Sequence, residues 1–430
     1  MNCKDHYDVV VAGGGPAGVT AALAAARNGA ETLLVERCGS LGGLSTNGLV
    51  PMIAPLSWHK TDTLVCGIGG EIAAAMRQAE PGVEGIWTWI NPEPLKVIYD
   101  RLMQRAGVVP LFFTTVTGVE SEDGCIRAVK AQCKTKRMRF TANLFVDCTG
   151  DADVAHLAGC PTVQGDSEGH TQAVSLCFVL CGADVDRLPD EPILTAMRRQ
   201  LKSALASGEL AHTDDYQYHI SGVWLKKESG ALFFNFGHVY GVDGTDPADM
   251  TRVMTVGREH AQRFADYLRR HMTGMEGVMV AQTGAIPGVR ETRRIRGDYV
   301  LEKDAFFNSE RHKDDIACYD YPPDVHASTP AAADNGENPF ARLRETAKTA
   351  CYGIPYRALL PRGVNNLAVA GRCISADRPM QGTSRCMPGA FATGEAAGTA
   401  AALGVQQKCA FAEVDVDALR ERLRSQNAIV

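Results

Sequence analysis

Three absences narrow the field before any motif is considered. No run reaches the ~18 apolar residues of a membrane-spanning helix, and the opening Met-Asn-Cys-Lys-Asp-His leads into a short strand-like run rather than a secretory apolar core. Positive charge is not in excess: 44 Lys and Arg face 50 Asp and Glu, a net charge of −6, which makes a polyanion such as nucleic acid a poor partner. The 14 cysteines lack metal-site spacing. There is no C-x-x-C, the closest pair (Cys177 and Cys181) is separated by three residues, and no H-E-x-x-H occurs. The expectation is a cytoplasmic chain without a membrane span, an iron–sulfur cluster or any other metal site, whose thiols are free and serve as small apolar packing residues.

Glycine, in contrast, is abundant. The 43 glycines are about 10% of the chain against ~7% in ordinary soluble proteins. With 45% hydrophobic and 22% charged residues, the composition is that of a folded globular protein, and 430 residues suffice for two or three structural units.

The first glycines fall where chemistry needs them. Tyr7 to Ala12 is a β-branched run suited to a buried parallel strand. Gly13, Gly15 and Gly18 follow as G-x-G-x-x-G, then an Ala-rich helix from Pro16 and Ala17 to Arg27, stopped at Asn28-Gly29. A second strand, Glu31 to Val35, ends at Glu36, 18 residues after Gly18. In such a unit the first glycine permits the tight turn, the second lets backbone approach a pyrophosphate, and the third lets helix pack on strand. The helix N-terminus offers free N–H groups to the phosphates, and the acidic residue accepts ribose hydroxyl protons while repelling a 2′-phosphate. The pattern predicts dinucleotide binding, with FAD and NAD both satisfying it.

The segment after Glu36 separates the two. Arg37-Cys38-Gly39-Ser40-Leu41-Gly42-Gly43-Leu44-Ser45 resembles the flavoprotein stretch that runs from the adenosine ribose towards the flavin. Further likeness lies in Asn91 to Lys96, in Pro110 to Val119 with Val116 in the place of an adenine contact, in Leu144 to Asp151 with Thr149, Gly150 and Asp151, in Gly288 to Leu301, and in Asn366 to Gly404. Together these resemble the bacterial FAD-dependent oxidoreductases of the glutathione-reductase and fumarate-reductase superfamily. The resemblance implies an α/β fold: a Rossmann-like FAD-binding domain of the glutathione-reductase type with an inserted α+β substrate domain. Residues 1–155 would form the first part of the FAD domain, 156–340 the substrate or cap domain, and 341–430 the second part with the C-terminal helices. Residues 182–280 and 303–350 contribute least to the likeness.

Two departures from the superfamily pattern bear on chemistry. No cysteine pair follows Gly43, so no dithiol relay operates there. Where many members carry Gly-Asp, this chain has Gly371-Arg372, with Asp377 further on, which leaves open the residue holding the ribityl chain. No second strand-linked G-x-G-x-x-G occurs, so no dedicated NAD(P)H domain is expected, and electrons would enter or leave through the substrate or an external acceptor or donor.

FAD is therefore the expected cofactor, and the expected reaction is hydride transfer between flavin N5 and a small organic substrate by a dehydrogenase or oxidase. A flavin-dependent C=C reductase and an RNA-modifying flavoprotein are the alternatives, the last opposed by the net charge. A homo-oligomer is left open. The expected catalytic groups are Arg290 and Arg294, from an arginine cluster that either binds a carboxylate or pairs with neighbouring acids; His170, at the start of a strand-like run; and Arg385, two residues before Met387 opens a helix aimed at the flavin. Residues 324–338, small and polar, read as a loop able to act as a lid.

Overall fold

The computed structural model of the chain describes residues 3–57, 64–80, 88–334 and 351–430. Its centre is a seven-stranded sheet. Five strands run parallel in the order Val109–Leu111, Thr32–Val35, His6–Ala12, Lys136–Asp147 and Leu367–Val369. The long strand Lys136–Asp147 also pairs antiparallel with Cys125–Cys133, which pairs in turn with Thr115–Glu122. The apolar run Val9-Val10-Val11 becomes the buried heart of this sheet because both faces are covered.

Two helices cover the face beside the glycine turn. Pro16–Arg27 follows the first strand directly, and Met387–Gln407 lies against it. Their contact is backbone to backbone: a Cβ on Gly394 would sit 2.1 Å from the Ala17 carbonyl oxygen, and one on Gly398 2.0 Å from that of Ala21. Thr20 Oγ1 donates to the Phe391 carbonyl at 2.8 Å. Small residues thus bring the N-terminus of the late helix to the turn formed by the first strand and first helix, although some 370 residues separate them.

A second, antiparallel sheet has the order Tyr216–Lys226, Ala231–Val239, Phe178–Cys181, Met279–Thr283. Helices Ile193–Ala206 and Pro247–His271 pack behind it over a core in which Phe178 stacks on Phe234 at 4.8 Å and Phe236 on Phe264 at 5.1 Å.

Several sequence expectations are corrected here. The family-like segment Pro110 to Val119 falls into two strands, broken where Phe113 adopts φ 54° and Thr114 N–H donates to the Glu36 carbonyl, so the chain passes from the parallel to the antiparallel part of the seven-stranded sheet. Of the strand-like run that follows His170, only Phe178–Cys181 forms a strand, its earlier residues held by isolated bridges from Val174 to Val239 and from Ser175 to Gly288. In the expected lid, residues 324–329 have no regular structure and Pro330–Asp334 is a short helix, while 335–338 lie outside the described residues. Cys318 and Cys351 form a disulfide across 33 residues, so not every thiol is free; spacing rules built on close pairs cannot see such a distant one. No helix among the described residues is long and apolar enough to cross a membrane.

Candidate functional site

The parallel strands end at a cavity of about 820 Å³, towards the upper end of the ~300–1,000 Å³ usual for ligand sites. Gly13, Glu36, Cys148 and Ala370, each the first or second residue past a parallel strand, line one side of it. This is the crevice at the carboxyl ends of strands where open α/β sheets bind ligands. The antiparallel sheet supplies the other side through Gln217, His219, Asn235 and His238.

Most of the residues expected to hold the cofactor are brought together here. Gly13, Gly15, Pro16, Ala17, Glu36, Arg37, Gly43, Leu44, Val116, Thr149, Gly150, Asp151, Gly371, Arg372 and Met387 all line the cavity. Gly18, Gly42 and Ser45 do not. Gly18 sits under the turn, where a Cβ would lie 1.7 Å from the Gly13 carbonyl oxygen, and Ser45 Oγ donates to the Gly42 carbonyl at 2.8 Å. These three shape the cradle from beneath.

Glu36 ties the cradle together. Its two oxygens accept from the N–H groups of Gly14 and Cys38, both at 2.6 Å, and it is buried while still facing the cavity. A carboxylate has about four lone-pair sites, so accepting capacity is left for hydroxyl donors. Arg372 braces the opposite loop by donating to the Gly150 carbonyl at 2.6 Å and pairing with Asp151 at 2.6 Å. Of the two places left open for the ribityl contact, Gly371-Arg372 lines the cavity. Asp377 instead caps the helix Arg378–Ser384 by accepting from Met380 N–H at 2.9 Å.

The residues fit FAD on one geometric observation. A Cβ built on Gly15 meets no atom within 4 Å, although the residue lies in the cavity wall between the first strand and the first helix. The bare backbone there borders open space of the kind an extended pyrophosphate requires, at a helix N-terminus whose N–H groups favour an anion.

The expected catalytic residues divide. Arg290 and Arg385 line the cavity; Arg294 and His170 do not. Arg294 is buried in an ion pair with Glu291 at 2.5 Å and donates to the Ala376 and Gly165 carbonyls, which is the pairing alternative for the arginine cluster. His170 is half exposed on a loop, its Nδ1 within 3.4 Å of Glu168 and 3.8 Å of Asp166. Arg385 pairs with Asp324 at 3.1 Å. Arg290 donates to the Ala173 carbonyl at 2.6 Å, and burial, then the charge of Arg385, pulls its pKa down to about 10.

Beside Arg290 stands a histidine cluster that sequence reading missed as a unit. His238 Nε2 and His326 Nδ1 are 3.1 Å apart, the ring of His219 stacks on that of His238 at 4.4 Å, and His326 Nε2 lies 3.6 Å from Asp324. Tyr240 hydroxyl reaches His238 Nδ1 at 3.5 Å and donates to Gln217 at 2.7 Å. Burial is the main force lowering the basicity of all three rings, with Arg290 adding to it; His219 and His326 fall to about 4 and His238 further. At neutral pH these are uncharged imidazoles, each with one donor and one acceptor nitrogen. No local motif marks them, because they come from two strands and a loop. Among the described residues no group of acids, histidines or cysteines is placed to hold a metal ion.

The family model described as FAD dependent oxidoreductase matches residues 8–423. Among curated proteins, the chain is 33% identical over 137 residues to dihydrolipoyl dehydrogenase of Trypanosoma brucei brucei, covering 28% of each. It is 23% identical over 354 residues to the tRNA uridine 5-carboxymethylaminomethyl modification enzyme MnmG of Chlorobium phaeovibrioides, covering 71% of this chain and 56% of that protein. The chain thus spans about a quarter of the length of the first curated relatives it matches. Among solved structures, a geranylgeranyl bacteriochlorophyll reductase-like protein of Thermoplasma acidophilum aligns over 98% of this chain and 83% of that one, at 13% identity and a TM-score of 0.47.

Proposed function

The chain belongs to the FAD-dependent oxidoreductase family, and from that premise we propose that it oxidises or reduces a small organic molecule in the cavity between its two sheets. Residues 1–155 and 341–430 would form the FAD unit and 156–340 the substrate unit. Glu36 and Val116 would hold the adenosine, Gly13 to Ala17 and Gly43 the pyrophosphate, and Thr149 to Asp151 with Gly371 and Arg372 the ribityl region. Met387 would stand at the flavin end, where the N-terminus of its helix favours negative charge. FAD, when bound, supplies the hydride chemistry.

The chain's own residues have the remaining tasks of binding, orientation and proton handling. The imidazole–imidazole–carboxylate series His238, His326 and Asp324, all in the cavity wall, would move a proton to or from the substrate. Neutral imidazoles suit it, since each can accept at one nitrogen while donating at the other. A dehydrogenase or oxidase that passes electrons to an external partner, acting in the cytoplasm, is the specific form we favour. An RNA-modifying role is disfavoured by the net charge of −6.

One observation carries this reading: a single cavity is lined both by the glycine fingerprint and by the buried Arg290–histidine wall. The test is to purify the protein, record its visible spectrum and titrate added FAD. A yellow protein that releases FAD on denaturation supports the reading, and a colourless one that fails to bind added FAD overturns it.

A further inference from the structure

Five arginines line the cavity, Arg37, Arg198, Arg290, Arg372 and Arg385; Arg37 and Arg198 are exposed to solvent, and Arg290 is the buried one. Arg294 and Arg378 share Glu291, Arg372 has Asp151, and Arg385 has Asp324. Arg290 is only 6% exposed, makes its hydrogen bond to a carbonyl oxygen, and has no carboxylate within ion-pair distance among the described residues. A guanidinium carries five N–H donors in a planar fork, and its charge is costly to bury without a counter-ion. Its neighbours do not supply one. His219, His238 and His326 are uncharged, and the one nearby acid, Asp324, is engaged by Arg385 and His326. Counting Arg290 and Arg385 against Asp324 leaves one buried positive charge unbalanced, and the exposed Arg198 adds a second cation to the same wall, in a protein that is −6 overall.

Resting on the flavin reading above, we propose that Arg290 is the anchor for a carboxylate of the substrate, and that the enzyme acts on a small organic acid. The planar fork and buried charge of Arg290 match the two oxygens and single charge of a carboxylate. The acid's remaining atoms would lie against Cys177, Asn235 and His238, which places its reacting carbon within the reach of the histidine series.

The test uses the FAD-loaded protein and reads binding rather than turnover. Acetate, propionate and benzoate are titrated while the flavin absorbance is followed, with acetamide, propionamide and benzamide as neutral isosteres. The expected result is a saturable spectral change with at least one carboxylate, about 10- to 100-fold tighter than its amide, as a charge-assisted pair warrants. Arg290→Met should erase that preference while FAD content is retained. Arg290→Lys, which keeps the charge and loses the fork, should bind the same acid at intermediate strength, and it serves if the methionine variant does not fold. The proposal is overturned if no carboxylate perturbs the flavin at roughly 50 mM, if acid and amide bind alike, or if the folded variants keep the wild-type preference. Failure of the flavin reading itself is a separate result, a wild-type protein that takes up no FAD.

Discussion

Gly15→Ala separates cofactor binding from folding more cleanly than any other single change. Gly15 has φ −68° and ψ −174°, an extended conformation open to alanine. The added methyl meets no atom within 4 Å. The FAD-free protein should therefore fold as before, or gain about 0.4–1 kcal/mol from a stiffer unfolded chain. The methyl enters the space where the pyrophosphate must approach the backbone. Displacing it by the width of a methyl forfeits one charge-assisted hydrogen bond, about 1.5–3 kcal/mol, or roughly 10- to 150-fold in FAD affinity. The assay pairs a melting curve of the FAD-free protein with a fluorescence titration of FAD. The contrast is Gly18→Ala, whose Cβ would lie 1.7 Å from the Gly13 carbonyl oxygen and must push helix from strand, so its loss appears in the melting curve. A Gly15→Ala protein that melts normally and binds FAD as tightly as wild type would refute the placement of the phosphates.

Three other changes probe the surroundings. His170→Ala should leave FAD affinity, kcat and KM at wild-type levels, because the side chain is half exposed outside the cavity; a large fall in kcat would return it to the site. Glu291→Gln should cost about 3–5 kcal/mol in urea unfolding, since it leaves the buried Arg294 without its counter-ion and the part-buried Arg378 with Asp166 alone. Glu395 is buried, and desolvation raises its pKa from 4.5 to about 7. The folded state thus holds a proton that the unfolded state releases, so this residue's contribution falls as pH rises from about 4.5 through 7, by about 3 kcal/mol in all. Glu395→Gln should flatten that part of the stability-against-pH curve, and an unchanged slope would show that the carboxyl titrates normally.

That the glycine turn and Glu36 would share one site was legible because the determinants are local. A glycine at a turn, an acidic residue at the end of the next strand and a small-residue helix act through neighbours in the chain, so spacing alone places Gly13, Gly15 and Glu36. Gly18 and Ser45 were expected at the cofactor and lie outside the cavity lining, since spacing does not tell the face of a turn that meets a ligand from the face that packs. Arg294 and Arg290 looked alike in one arginine-rich segment. They differ only in whether a carboxylate from elsewhere arrives beside them, and Glu291 reaches the first while no described acid pairs with the second.

The histidine cluster and the disulfide were illegible for the same reason. His219, His238 and His326 meet only after two strands pair and a loop folds over them, and Cys318 finds Cys351 across 33 residues. By itself, the sequence determined the strand–glycine turn–helix unit, the preference for a dinucleotide and, through its resemblance, the flavin family, because short-range sterics and hydrogen bonding suffice for those. Only the tertiary structure decided which arginine is buried in the cavity wall without a carboxylate and which imidazoles face it, because burial and charge pairing depend on distances between segments that the linear order does not contain.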